Sequence, residues 1–316
     1  MKIFLFLVLM VSFVFSQNIK SSISNFKLSG SLVDMVYKDD KLYCATGASS
    51  VDIFDFKSKK LIKKIELGKI TDFMGDKIDS KVYSVDVIDD KILILSQDEK
   101  GFRRVHIHQN NKTELLFGYK ESLTVSKAKF LDKDTILLAL LSNELISYDM
   151  KSKKSNWLKQ VSSAKFSDFA LNEQKSEVVI ADESGNLKIH ATKDGKFLKL
   201  LADKNLDNVF QVGYKNGFIA TAGQDRKVVL YNTKAGTSVS VQSSFLVYSV
   251  GLSPKAIYVG YSSDEQNNVT IVDVSTKSPI GKFGGNSMTL TKILFINENE
   301  FLVGSDSDIV NLYSVK

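Results

Sequence analysis

The sequence predicts an all-β ring of seven four-stranded blades, a β-propeller, on three observations. The first is a repeat. A hydrophobic strand ending in a turn recurs as Val51-Asp-Ile-Phe-Asp55, Val105-His-Ile-His-Gln109, Leu145-Ile-Ser-Tyr-Asp149, Leu187-Lys-Ile-His-Ala191, Val228-Val-Leu-Tyr-Asn232, Val269-Thr-Ile-Val-Asp273 and Val310-Asn-Leu-Tyr-Ser314. The ends of these segments lie 54, 40, 42, 41, 41 and 41 positions apart. Strand-rich repeats of roughly 40–45 residues mark propeller blades. The second observation is that each full repeat holds four short apolar runs separated by turn residues, as hairpins require. The third is a repeat that lacks one strand at the C-terminus, with a spare strand-like segment near the N-terminus.

The first element along the chain is a targeting segment. Met1 and Lys2 give a positive start, residues 3–15 are apolar except for Ser12, and Val14-Phe-Ser16 offers residues a signal peptidase accepts. The pattern predicts a secretory signal peptide over residues 1–16, cut before Gln17, leaving a single domain over residues 17–316. The run is shorter than the roughly 20 residues of a membrane span, so no stable membrane insertion is expected after cleavage. No cysteine follows the run and no Arg-Arg pair precedes it, which argues against a lipoprotein and against the twin-arginine route.

The blades follow in order. Repeat one reads as strands 32–37, 41–46, 51–55 and 61–67, and repeat two as 82–87, 91–96, 103–108 and 113–117. Repeat three reads as 126–130, 135–141, 145–149 and 155–159, and repeat four as 164–170, 177–181, 187–190 and 196–200. Repeat five reads as 209–214, 218–222, 227–231 and 237–241, and repeat six as 248–252, 256–261, 269–272 and 279–283. Repeat seven offers only 292–295, 301–304 and 310–313. The segment 23–28 is expected to supply its fourth strand, so that both termini zip the ring shut. An open ring would leave a long exposed edge.

Composition narrows the function. The formal net charge is +6, carried almost wholly by lysine; the arginines are Arg103, Arg104 and Arg226. Phosphate and base recognition favours the forked guanidinium, and these lysines alternate with acids, so no nucleic-acid partner is expected. Cys44 is the single cysteine, so no internal disulfide can form. Its strand-like setting predicts a small buried thiol. No Cys-x-x-Cys-His is present for covalent haem.

The segment Ala220-Thr-Ala-Gly-Gln-Asp-Arg-Lys-Val-Val-Leu-Tyr-Asn232 resembles the WD40 family, with its small-residue strand, Asp-bearing turn and aromatic strand end. Phe54-Asp55 and Tyr148-Asp149 echo the same ending. The resemblance spans about residues 19–316 and implies a seven-bladed WD40-like propeller. The chain departs from the family in having no Trp-Asp dipeptide and no Gly-His pair, and Trp157 lies elsewhere. The family's buried hydrogen-bond network is therefore expected to be weakened.

Candidate chemistry is sparse. His106, His108 and His190 are read as surface or cross-strand side chains, because a metal needs three or four converging ligands. Asp39-Asp40, Asp89-Asp90 and the Asp306/Asp308 pair fall at turns, where Asp bonds its own backbone. The stretch 262–268 lacks the spaced carboxylates of a good calcium site. Asp34, Asp86 and Asp168 are the acids of the inner strands and do not suggest a shared ion. No nucleophile elbow, phosphate loop or dinucleotide fingerprint occurs. The expectation is a non-enzymatic protein with no catalytic, metal or cofactor residues.

Blade two is the irregular one. Its extra residues fall at 68–80, before its first strand, and at 97–104, between its second and third. These connections emerge on the same face of a propeller, so Phe73, Met74, Phe102, Arg103 and Arg104 are expected to form one raised protein-interaction patch. Aromatic, Met and Arg side chains are the usual interface anchors. The Lys/Ile/Phe/Asn/Ser-rich, proline-poor composition points to an AT-rich bacterial genome and a periplasmic location. With its signal peptide, length and degenerate blades, the chain resembles the NapL-type accessory proteins of bacterial periplasmic nitrate reductase systems. That resemblance implies a reductase partner and a role in maturation or activity, not catalysis. The alternatives are a metal-dependent propeller hydrolase or lactonase, and an outer-membrane assembly scaffold.

Overall fold

The computed structural model describes residues 18–316; the predicted signal peptide lies outside the described residues. The chain forms seven radial antiparallel sheets around an axis. Blades one to five each hold four consecutive strands, from Leu32–Lys38 through Leu61–Glu66 in blade one to Val209–Lys215 through Thr237–Gln242 in blade five. Blade six runs from Val250–Leu252 to Pro279–Phe283, and blade seven contributes Leu290–Phe295, Glu300–Ser305 and Ile309–Ser314. Among the described residues no helix is long and apolar enough to cross a membrane.

Local chemistry sets the turns. Asp39 and Asp40 both take positive φ (49° and 54°), as do Asn110 and Asn111 (51° and 61°). Type I′ two-residue hairpins need φ > 0 at both positions, and Asp and Asn tolerate it best after glycine. The second strand of each blade is buried along most of its length, as in Ile136 to Leu140, because both faces of every sheet pack on a neighbouring blade. The core is accordingly a set of clusters between blades, one of which joins Leu32 and Phe54 of blade one to Leu302 and Val310 of blade seven. At that seam Gly304 leaves room for Leu32: a Cβ there would lie 1.8 Å from Leu32 Cδ2 and would force that buried side chain to shift.

The ring closes as the sequence predicts. Ser24–Lys27 pairs antiparallel with Ile309–Ser314 and becomes the outer strand of blade seven. Phe26 is fully buried and meets Phe54 of blade one edge-on, with ring centres 5.5 Å apart. A second clasp has no counterpart in the sequence reading. Ile19–Lys20 adds to blade six as a fifth strand, parallel to Pro279–Phe283. Gly284 N donates to Lys20 O (3.0 Å), and Lys20 Nζ donates to the Val315 carbonyl (3.0 Å). The N-terminal segment thus staples blades six and seven and seals the seam with blade one.

Buried polar networks nonetheless lie on the face carrying the outer-to-inner connections, where a weakened network was expected, and other residue types build them. In blade four, buried Asp182 accepts from Asn143 Nδ2 (3.0 Å), Ser162 Oγ (2.7 Å) and Lys188 Nζ (2.8 Å). In blade five, Thr221 Oγ1 donates to Asn205 Oδ1 (2.8 Å), and Asn205 Nδ2 donates to Asp225 Oδ1 (3.1 Å). In blade seven, Tyr313 Oη donates to Gly284 O (2.9 Å), and Asn311 Nδ2 donates to Asn286 Oδ1 (3.0 Å). Substituting the residue types preserves the requirement that buried polar groups be paired.

Candidate protein-interaction surface

Both insertions of blade two rise on one face. Residues 68–80 fold into a hairpin, Lys69–Thr71 against Lys77–Asp79. Asp72 shapes its tip by accepting from Met74 N (2.8 Å) and Asp76 N (2.9 Å), and Gly75 supplies φ of 93°. Ile70 is buried and anchors the hairpin, while Phe73 and Met74 at the tip are 88% and 72% exposed. The second insertion forms a single 3-10 turn, Glu99–Gly101, which the first strand of the hairpin touches. Asp98 caps that turn through Glu99 N (2.8 Å) and also accepts from Tyr119 N (2.7 Å) in the connection to blade three.

The five predicted patch residues divide into groups. Phe73 and Met74 are free at the tip. The Arg103 guanidinium lies 4.0 Å from the centre of the Tyr83 ring and donates to the Gly101 (3.0 Å) and Phe102 (3.2 Å) carbonyls. Phe102 is half-buried beside it. Arg104 turns inward: Nη2 donates to Ser80 Oγ (2.7 Å), and Nε lies 4.0 Å from Asp98 Oδ1. It ties the base of the hairpin to the second insertion and offers little to a partner. Two aromatic residues that the sequence reading left out complete the surface. Tyr83 carries Arg103, and Tyr119 is 40% exposed with the Lys100 ammonium 5.5 Å from its ring centre. The connection rule that placed 68–80 and 97–104 on this face also places the loop holding Tyr119 there.

Tyr83 leads inward to the axis. An upper cavity of about 160 Å³ is lined by Tyr83, Asp34, Lys127, Asp168, Gln211 and Lys292 among others. A lower one of about 340 Å³ adds Asp86, Lys129 and Lys175. The inner-strand aspartates are bound up with lysines: Asp34 lies 3.3 Å from Lys129 Nζ and 3.1 Å from Lys292 Nζ, and Asp168 lies 2.6 Å from Lys127 Nζ. Asp86 accepts from Phe130 N (2.8 Å), with Lys129 Nζ at 4.0 Å. Burial alone would raise the Asp34 pKa, but Lys129, Lys292 and Lys127 together hold it well below the usual carboxylate range. This channel therefore carries ammonium-neutralised carboxylates, a poor setting for a cation.

Several of the remaining candidates have structural partners, whereas His106 Nδ1 is buried with no hydrogen-bond partner among the described residues. In the 262–268 stretch Asp264 is engaged by Lys282 Nζ (2.5 Å) and Asn268 Nδ2 (2.9 Å). The Cys44 thiol is fully buried, and burial followed by the charges of Asp52 and Asp34 pushes its pKa up. The histidines are buried rather than on the surface, in part because the sheet faces on which they lie pack against neighbouring blades. His108 bonds Thr113 Oγ1 (2.8 Å) and Lys63 Nζ (2.9 Å), and His190 Nδ1 bonds the Gly195 carbonyl (3.0 Å).

His106 has a measurable consequence. Burial, reinforced by the Arg104 charge, lowers its pKa to about 4. The unfolded chain, with the ordinary value near 6.5, then binds more protons than the fold between those values, so stability is full above pH 6.5 and falls as pH drops toward 4. The loss between pH 7.5 and 5 should be roughly 2 kcal/mol from this residue. Urea unfolding at both pH values is expected to show His106→Leu losing that much of the pH dependence. An unaltered slope in the variant would contradict the assignment.

No protein-family model matches the chain, and no curated protein matches it.

Proposed function

We propose that this protein is a non-catalytic interaction factor that docks a partner on the blade-two surface. The observation that carries the reading is the braced hairpin tip: Phe73 and Met74 are highly exposed on a loop held by Asp72 and by the buried Ile70. An ordered loop that holds large apolar side chains in water suits a partner, because their burial there is favourable and little ordering entropy is left to lose. The lysine-paired channel carboxylates weigh against the metal-dependent hydrolase. The partner we assign is a periplasmic reductase, with the protein supporting maturation or activity of periplasmic nitrate reductase.

Truncating an interface anchor to Ala costs about 1–4 kcal/mol of binding, whereas exposed-loop changes alter folding by about 0.5 kcal/mol. Phe73→Ala with Met74→Ala is expected to lower periplasmic nitrate reductase activity in cells while the purified propeller melts as the parent does, and Phe102→Ala with Arg103→Ala is expected to lower it with some loss of stability from the Arg103–Tyr83 stack. Parental activity in both variants rejects the surface. Parental activity in a strain lacking the protein rejects the reductase assignment.

A further inference from the structure

The outer edge of blade four is a second open surface, separated from blade two in the ring by blade three. Its outer strand, Phe197–Leu201, pairs with Leu187–Ala191 on one side and with no strand on the other among the described residues. Such an edge presents unpaired N–H and C=O groups, and proteins normally blunt it with charge, proline or a cover. Blades one, two, three, five and six do so. Blade one sets Lys63, Lys64 and Glu66 beside its exposed Leu61 and Ile62, blade two Lys112 and Glu114 beside Leu115, and blade three Lys154 and Lys159 beside Leu158. Blade five uses a Ser/Thr-rich strand, and blade six begins with Pro279 and is covered by Ile19–Lys20. Blade four has one charge, Lys199, while Phe197, Leu198 and Leu200 are 53%, 45% and 50% exposed.

Two grooves adjoin this strand. Leu198 and Lys199 help line one of about 770 Å³, with Glu177, Tyr214 and Pro254. Lys199, Leu200 and Leu201 help line another of about 240 Å³, with Tyr231 and Thr237. Added strands gain affinity from main-chain hydrogen bonds and specificity from pockets for their side chains. Blade six demonstrates that an outer edge of this ring takes a fifth strand.

We propose that the edge of blade four accepts an extended segment of a partner protein as a fifth strand, with apolar residues alternating with carboxylates. The apolar positions answer Phe197, Leu198 and Leu200. The carboxylates answer Lys199 and its exposed neighbours Lys193, Lys196 and Lys204, which outweigh Asp194 and Asp203. A second copy of the chain fits less well: antiparallel self-pairing centred on the strand sets Lys199 against its own copy, and like charges directly opposite destabilise a sheet. This edge is independent of the blade-two reading and stands if that reading fails.

The test uses the mature protein and two labelled peptides, one alternating Val or Leu with Glu and the other carrying Lys in place of Glu. Fluorescence anisotropy is expected to show binding of the acidic peptide, with new hydrogen-exchange protection confined to 197–201. Lys199→Glu, an exposed change that leaves the melting temperature unaltered, should weaken that peptide by about tenfold or more and favour the basic one. No binding at about 1 mM, protection elsewhere, or indifference to Lys199→Glu overturns the proposal. A concentration-dependent dimer that protects the same amides overturns it in favour of a second copy.

Discussion

Removing residues 18–29 is expected to unfold or aggregate the protein. The deletion strips blade seven of its outer strand, uncovers the edge of blade six and empties the seam with blade one, where Phe26 and Leu28 are buried. The seam alone is costly. Burying a Leu or Phe side chain is worth about 1.5–3 kcal/mol, and a Phe→Ala cavity costs about 3–5 kcal/mol, against a whole-domain stability of about 5–15 kcal/mol. The point variant Phe26→Ala keeps the strand and reads the packing term separately. Its melting temperature should fall by on the order of 10 °C. A deletion that melts with the parent would show that closure does not depend on this segment.

The second large effect is expected at the axis. Asp34→Ala leaves Lys129 and Lys292 without the carboxylate that both face and removes the acceptor for Val85 N (3.3 Å). Breaking a buried pair from one side costs about 3–5 kcal/mol, because an uncompensated charge remains. Adding Lys292→Met should recover part of that loss by removing one orphaned ammonium. The pH dependence has a fixed sign. With the Asp34 pKa held below its ordinary value near 3.9, its stabilisation is present above that value and is lost as pH falls through the lower folded one. Denaturant unfolding of the variants checks both points. An Asp34→Ala protein as stable as the parent would mean that water, not the carboxylate, compensates the lysines.

Blade count and closure were legible because they rest on spacing and strand number. The period near 41 residues and the missing last strand determine the ring without any diagnostic residue. The second clasp was not legible, since Ile19–Lys20 is too short to carry a pattern and pairs only where blade six offers an edge. The channel lysines had a signal that went unused. In Val125–Phe130, Ala128 and Phe130 are buried while Lys127 and Lys129 alternate with them, which places both ammoniums away from that apolar face. Reading only acids on the inner strands hid the half of the network that neutralises them. The surface patch was legible as a location and less so as a set of side chains. Loop length and connection rules put both insertions on one face, but whether Arg104 reaches solvent or Ser80 depends on packing that spacing does not encode. Buried networks built on Asn205, Asn286 and Asp182 escaped a search for fixed dipeptides because several residue types satisfy the same buried donors and acceptors.

The most direct test of partner docking on the blade-two surface is titration of purified periplasmic nitrate reductase with the propeller (residues 17–316) by calorimetry, comparing the parent with Phe73→Ala/Met74→Ala. Saturable binding is expected for the parent and a loss of about tenfold or more for the double variant, with identical melting curves for the two propellers. Equal affinities for both, or no binding by the parent, would contradict it.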